Sequence, residues 1–263
     1  MGTSAPWVYP WIMIASVGVG IALARRTPQA AGLTPRERRM IGLGAFCGAM
    51  IGAKLPFALA DWHGLLTGRV WIENGKTIVF GMVGGYLGVE LVKAILQVRA
   101  KTGDGFAVPA AGAVAVGRLG CFAAGCCHGT DTALPWGVDF GDGLRRHPTQ
   151  LYEMAFHATA AVALAGLQRR GLFRGQLIKL YIIAYLIYRF ATEAIRPEPR
   201  MAAGLTGYQW ACLALVPAFA ALWARDVRQL RRGDEAGPGV GSPAGPDFAV
   251  STRRERSPRR PPG

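Results

Sequence analysis

A chain of 263 residues that is 51% hydrophobic and only 17% charged carries fewer ionisable side chains than a soluble domain, which has about 25%. With a mean hydropathy of +0.23, this argues against a water-soluble globular fold and for a chain that lives in lipid. The formal net charge of +14 does not require nucleic acid, because much of it flanks apolar runs or sits in the C-terminal tail.

A membrane-spanning helix needs about 20 mostly apolar residues. In chain order the apolar runs are 6–24, 40–60, 77–98, 105–124, 151–167, 176–190 and 204–224. The first has no basic residues ahead of it, and Arg25 and Arg26 follow it, so it reads as a retained span rather than a cleaved signal peptide. The third contains Gly81, Gly84, Gly85 and Gly88, which suit close helix packing or a kink. The fourth is rich in small residues such as Gly112, Ala115 and Gly117, which let helices approach closely. The fifth and sixth are shorter than the norm, and six spans result if one run is re-entrant. The expected fold is all-α: a polytopic membrane protein with about seven transmembrane helices around a central, lipid-accessible cavity.

The connections after runs one, three, five and seven are the more basic, with Arg36, Arg38, Arg39, Arg169, Arg170, Arg228, Arg231 and Arg232 among them. The alternate connections hold Arg69, Lys76, Arg145, Arg146, Arg196 and Arg200. The positive-inside rule then places the N-terminus outside and the C-terminus in the cytoplasm, which an odd number of spans allows. Residues 233–263 are rich in Pro, Gly, Ser and Arg and bury too little apolar surface to order. The expected organisation is a membrane domain over 1–232 and a disordered, basic cytoplasmic tail over 233–263.

Charges inside or beside a span are costly and mark functional positions or ion pairs. Here they are Lys54, Glu90, Arg118, Arg189, Glu193 and Arg196. Helical spacing would put Glu193 between the guanidinium groups of Arg189 and Arg196. Such a set is either a structural ion pair or a forked grip on a phosphate. Arg118 lies in Gly117-Arg118-Leu119-Gly120 at the outer end of the fourth run, where it either snorkels or faces a ligand. Ahead of the fifth run stands Arg146-His147-Pro148-Thr149-Gln150-Leu151-Tyr152-Glu153. His147 there is either a general base or an ordinary loop histidine, and Gln150 and Tyr152 are either contacts or interfacial anchors. Cys47 and Cys212 sit in apolar runs as packing residues. For Cys121, Cys126 and Cys127, beside His128, three readings stay open: a disulfide, a metal site of non-standard spacing, or a thiol activated by Arg118.

The stretch from Gly117 to Gly129 resembles the signature of the prolipoprotein diacylglyceryl transferase family, roughly G-R-x-G-N-F-x-N-G-E-x-x-G. The block R-H-P-[ST]-Q-L-Y-E of the same family stands intact at Arg146 to Glu153, and its late R-x-x-x-E-x-x-R pattern matches Arg189, Glu193 and Arg196. The resemblance covers the chain from Pro6 to Trp223 but not the tail. It implies transfer of the diacylglyceryl group of phosphatidylglycerol to the lipobox cysteine of a preprolipoprotein in the bacterial inner membrane. Glycerol phosphate leaves and a thioether forms, with no cofactor and no metal.

By this resemblance Arg118 and Arg189 bind the headgroup and the departing phosphate, while Glu193 and Arg196 orient Arg189. His147 belongs with them in the expected catalytic set. Arg196, Arg146, Gln150, Tyr152, Gly129, Cys121 and Cys126 make up the expected substrate-binding set. The chain also departs from the pattern. Val83 stands where the family has a histidine in the third span, Cys121 replaces an asparagine and Cys126 a glutamate. Trp11-Ile12 replaces an early Tyr-Gly pair, with Tyr9 nearby but out of register. Two alternatives follow: a related membrane transferase with a phospholipid donor and another acceptor, or a non-catalytic protein that binds anionic lipid.

Overall fold

The computed structural model describes residues 6–28, 32–72 and 75–235. The chain divides into a unit over 1–225 and a second one from residue 226 onward. Of the second unit, only the end of the last helix is described. Of the tail expected to be disordered from 233 onward, residues 233–235 instead continue the last helix, and the rest lies outside the described residues.

All seven apolar runs are helices, and the fold is that of an all-α polytopic membrane protein. They are α1 (Tyr9–Arg26), α2 (Pro35–Ala60), α5 (Ile78–Ile95), α6 (Asp104–Ala123), α7 (Thr149–Arg169), α8 (Leu177–Thr192) and α9 (Gly207–Glu235). Two short helices, α3 (Trp62–Leu66) and α4 (Arg69–Ile72), follow α2, and a two-residue hairpin of β1 (Val138–Asp139) and β2 (Arg145–Arg146) lies between α6 and α7. In that hairpin Val138 faces Arg146 and Asp139 faces Arg145, antiparallel. By length and apolarity alone, α2, α5, α6 and α9 over Gly207–Gln229 are able to cross a membrane. The other three fall short on those measures; α8 has only 16 residues, and α7 carries Gln150, Glu153 and His157 on its buried face. Large apolar side chains such as Leu43, Phe46, Leu87, Leu91, Val162 and Ile187 point outward, as expected where lipid is the solvent.

Local chemistry explains the helix ends. Thr34 caps α2: its hydroxyl accepts from the Glu37 amide at 3.2 Å, and the Glu37 carboxylate accepts from the Thr34 amide at 2.7 Å. Asp104, in the first turn of α6, accepts from the amides of Gly175 at 2.5 Å and Leu177 at 3.0 Å, tying the start of α6 to the start of α8. Lys54, buried in α2, donates to the Val70 carbonyl at 2.8 Å, which satisfies an ammonium placed among apolar residues.

Small residues set how closely the helices approach. Gly44, Gly48 and Gly52 recur every fourth position along α2 and meet Gly84 and Gly88 of α5. A Cβ on Gly48 would overlap the Gly84 carbonyl, one on Gly84 the Gly48 carbonyl, and one on Gly88 the Gly44 carbonyl. The glycines of the third run therefore serve packing, and α5 continues unbroken through them. α6 is more deeply buried than α2 and α5: half of its most apolar stretch is buried, against 22% for each of those two. Its buried positions, Ala107, Val108, Ala111, Ala115 and Arg118, recur at helical spacing on one face. Arg118 is thus carried into the interior by the same stripe that packs the helix.

The Gly48 contact makes a direct prediction. Gly48→Ala should lower the detergent-solubilised stability by about 2 kcal/mol, the usual cost of overpacking, read as a drop in thermal midpoint. Gly42→Ala in the same helix, where an added Cβ meets nothing, should leave the midpoint unchanged or slightly raised.

Candidate functional site

The site forms where the C-terminal end of α6, the first turns of α7 and the C-terminal end of α8 converge. Gln150, Glu153 and His157 occupy one face of α7 at helical spacing, and all three are almost wholly buried. Glu153 is the centre. Its Oε2 pairs with the Arg118 guanidinium of α6 through both Nε and Nη2. Its Oε1 accepts from Arg189 Nη1 of α8 at 3.3 Å and from Arg196 Nη2 beyond α8. One carboxylate therefore holds three arginines that are themselves 5–8% exposed.

A second carboxylate takes a narrower part. Glu193 Oε2 pairs with Arg189 Nη2 at 2.8 Å, and its Oε1 accepts from the Thr206 hydroxyl at 2.8 Å. The expectation that Glu193 sits between Arg189 and Arg196 is half right. α8 ends at Thr192, and Arg196 is extended (φ −105°, ψ 146°), so the i,i+3 geometry of a helix does not apply to Glu193 and Arg196. Arg196 instead swings to Glu153 and also donates to the Cys127 carbonyl at 3.3 Å. The ring of Tyr208 covers Arg189, with Cζ 4.6 Å from its centroid.

Charge and donors decide what this cluster can do. Arg118, Arg189 and Arg196 against Glu153 and Glu193 leave one positive charge in excess in a low-dielectric setting. Among the described residues no hydrogen bond reaches the buried Nε of Arg189 or of Arg196. A desolvated cationic cluster with two spare N–H donors has the charge and the donors to hold an oxyanion.

The remaining expected residues are placed as follows. Gln150 donates to the Cys126 carbonyl at 2.6 Å, and Thr149 to the Cys127 carbonyl at 2.7 Å, so α7 pins the loop that follows α6. Gly129 is packed so tightly that a Cβ would lie 2.5 Å from the Ile195 carbonyl oxygen and 2.8 Å from His147 Cβ. No side chain fits there, and the contact joins the α6–α7 loop to the end of α8. Cys121 lies beside Arg118, whose Nη1 is 3.5 Å from its Sγ. The ring of Tyr9, at the start of α1, packs against Gly120, 3.5 Å from where its Cβ would stand. Tyr9 thus reaches the site despite its register, while Val83 packs against the apolar core formed by Val79, Ile182, Tyr185, Leu186, Cys212 and Phe219.

His147, Tyr152 and Arg146 form a neighbouring group at the hairpin rather than joining the arginine cluster. His147 Nδ1 lies 3.4 Å from the Tyr152 hydroxyl, which accepts from Trp136 Nε1 at 2.8 Å. Arg146 pairs with Asp142 at 2.5 Å and Asp131 at 3.3 Å. The hydrogen bond from Arg146 holds the Asp142 carboxyl below its ordinary range. A depressed carboxylate pKa means that this pair supports the hairpin at neutral pH and lets go only as pH falls through the acidic carboxylate range.

Sequence reasoning missed Glu153 as a site residue although it closes the Arg146–Glu153 block. The signal was present: Gln150, Glu153 and His157 form a polar stripe on a helix otherwise rich in Ala and Leu. His157, also missed, is buried with its Nδ1 2.7 Å from the Tyr181 hydroxyl.

Comparison with known proteins places the chain in a family. The family model described as prolipoprotein diacylglyceryl transferase matches residues 4–225. The chain is 31% identical over 168 residues to the phosphatidylglycerol–prolipoprotein diacylglyceryl transferase of Clostridium tetani, covering 58% of this chain and 66% of that protein. It is 28% identical to the protein of that name from Clostridioides difficile, over 76% of this chain and 82% of the relative. It is 33% identical to the one from Nitratidesulfovibrio vulgaris, over 66% of this chain and 68% of the relative. The chain therefore spans about two thirds or more of the length of these relatives. The match covers the helices that build the arginine cluster, and the chain belongs to the prolipoprotein diacylglyceryl transferase family.

Proposed function

We propose that this protein transfers the diacylglyceryl group of phosphatidylglycerol to the lipobox cysteine thiol of a prolipoprotein, in the bacterial inner membrane. The observation that carries the reading is the buried cluster of Arg118, Arg189 and Arg196 around Glu153, with one positive charge in excess and two unused Nε donors. The donor lipid presents a single phosphodiester anion, whose charge is opposite to the excess charge of the arginine cluster where α6, α7 and α8 converge.

The chemistry follows from the charges. The acceptor sulfur attacks the glyceryl carbon, a carbon–sulfur bond forms and the carbon–oxygen bond to the phosphate breaks. Glycerol phosphate departs with an additional negative charge, and the thiol proton leaves to a base. Arg118 and Arg189 stabilise the charge that develops on the phosphate oxygens, an electrostatic effect that is strong where water is excluded. Glu153 is a positioning residue: it holds the planes of the three guanidinium groups so that they need not reorganise during reaction. Glu193, tied to Thr206, does the same for Arg189 alone. His147, half-buried beside Tyr152 at the hairpin, serves the acceptor side as base; Arg146, Gln150, Tyr152 and Gly129 shape the loop through which a peptide enters. His157 is sealed behind Glu153 and bonded to Tyr181, out of reach of an incoming thiol.

The same reading places the N-terminus outside and the C-terminus in the cytoplasm, with residues 1–232 as the catalytic unit and 233–263 as a cytoplasmic tail. The start of α1 and the end of α6 lie on one side of the bundle, consistent with Tyr9 packing on Gly120. That is the outer side, where lipobox cysteines emerge.

Two outcomes test this. Arg118→Lys keeps a charge but loses the fork, and should lower kcat/KM for diacylglyceryl transfer about 100-fold with little change in thermal midpoint. Full complementation of a transferase-depleted strain by Arg118→Lys and Arg189→Lys together would contradict the assignment. His147→Gln should lower kcat about 100-fold, as loss of a general base does. An unchanged kcat would remove His147 from the catalytic set.

A further inference from the structure

Beside the arginine cluster lies a second group that the transfer reaction does not use. α6 ends at Ala123, and the chain turns back through Gly125, at φ +68°, so that the Cys126 amide donates to the Cys121 carbonyl at 3.1 Å. Cys127 adopts the left-handed conformation, φ +60°, which is uncommon for a residue with a side chain. The turn gathers three thiols: the Sγ atoms of Cys121, Cys126 and Cys127 all lie within 4.8 Å of one another. The five cysteines of the chain are free, Cys121 being half-buried and Cys126 and Cys127 exposed.

The loop carrying these thiols is held from three sides. Gln150 fixes the Cys126 carbonyl, and Thr149 and Arg196 fix the Cys127 carbonyl. Three sulfurs bound to one ion at about 2.3 Å stand roughly 4 Å apart, so closure around a cation needs only small side-chain adjustments. Ligands that are all thiolate select a soft ion and exclude magnesium and calcium. Three thiolates around a divalent ion leave one negative charge, and Arg118 Nη1, 3.5 Å from Cys121 Sγ, lies where that charge is offset. His128 is turned away: its Nδ1 is 3.2 Å from the Gly129 carbonyl and its ring stacks on Phe140.

We propose that Cys121, Cys126 and Cys127 form a three-thiolate site for one thiophilic cation of the zinc class, with a fourth coordination position open to solvent. The sequence leaves a metal site open here beside a disulfide or an activated thiol, and the proposal takes up that reading against the expectation of no metal that accompanies the family resemblance. Because Arg118 borders both the thiols and Glu153, occupancy of the site touches the phosphate-binding cluster through a single side chain.

The test uses the full chain, reduced and stripped with chelator in detergent, titrated with cadmium or zinc alone. Native mass spectrometry should show one ion per chain. Cadmium should produce a thiolate charge-transfer band in the ultraviolet. Cys121→Ser, Cys126→Ser and Cys127→Ser should each weaken binding by more than about 100-fold, beyond the loss seen for outer-sphere partners. Cys47→Ser and Cys212→Ser should leave it unchanged. The absence of a bound ion and band in the unaltered protein would overturn the proposal, whether or not the variants fold. So would a band that survives Cys126→Ser, or a Cys121–Cys126 or Cys121–Cys127 disulfide that forms equally in zinc-loaded and zinc-free protein.

Discussion

The arrangement around Glu153 is the constraint on which the rest of the structure depends. Burying three guanidinium groups among apolar helices is costly, and one carboxylate shared among them makes it tolerable. Removing that carboxylate would leave uncompensated buried charge, a loss of about 3–5 kcal/mol in comparable pairs. The partners come from α6, from the end of α8 and from the segment after it, while Glu153 comes from α7. The ion cluster therefore ties the ends of α6, α7 and α8 to one another. It also leaves the excess cation and the unused donors that an anionic headgroup requires. Stability and binding thus rest on the same side chains, with Glu193 and Thr206 as a separate brace on Arg189.

Packing elsewhere serves this centre. The glycine stripes of α2 and α5 let two spans touch backbone to backbone. Such contact needs no polar group and no hydrophobic force, which is absent between helices in lipid. The more deeply buried α6 carries Arg118 inward on its packing face, and Gly129 joins the α6–α7 loop to the carbonyl of Ile195 just before Arg196. A substituent at Gly129 would move Arg196 away from Glu153 without touching either residue.

The seven helices were legible because hydropathy reports membrane spans directly, and most boundaries fall within a few residues of the apolar runs; the exceptions are the polar ends, where α2 begins ahead of its run at Pro35 and α9 continues past its own to Glu235. Arg118, Arg189 and Arg196 were legible because charge in lipid is exceptional. Three things were not. Glu193 took the role of Glu153 because helical spacing was carried past Thr192, where the helix ends; the available signal was Pro197, which disfavours helical backbone at Arg196 and pushes it into the extended conformation. The β1–β2 hairpin and the short helices α3 and α4 have too few residues for periodicity to appear, and the hairpin is held by Arg146 with Asp131 and Asp142 rather than by any apolar face. The convergence of Cys121, Cys126 and Cys127 depends on two left-handed residues, Gly125 and Cys127, of which only the glycine is a readable signal.

The most direct measurement is an experimental structure of the protein with a non-cleavable phosphonate analogue of phosphatidylglycerol. The account predicts the phosphonate within hydrogen-bonding distance of Arg118 and Arg189, with Glu153 still bridging the arginines and the acyl chains leaving toward lipid. A headgroup bound elsewhere in the bundle, with all three guanidinium groups closed on Glu153 and out of contact with it, would contradict the account.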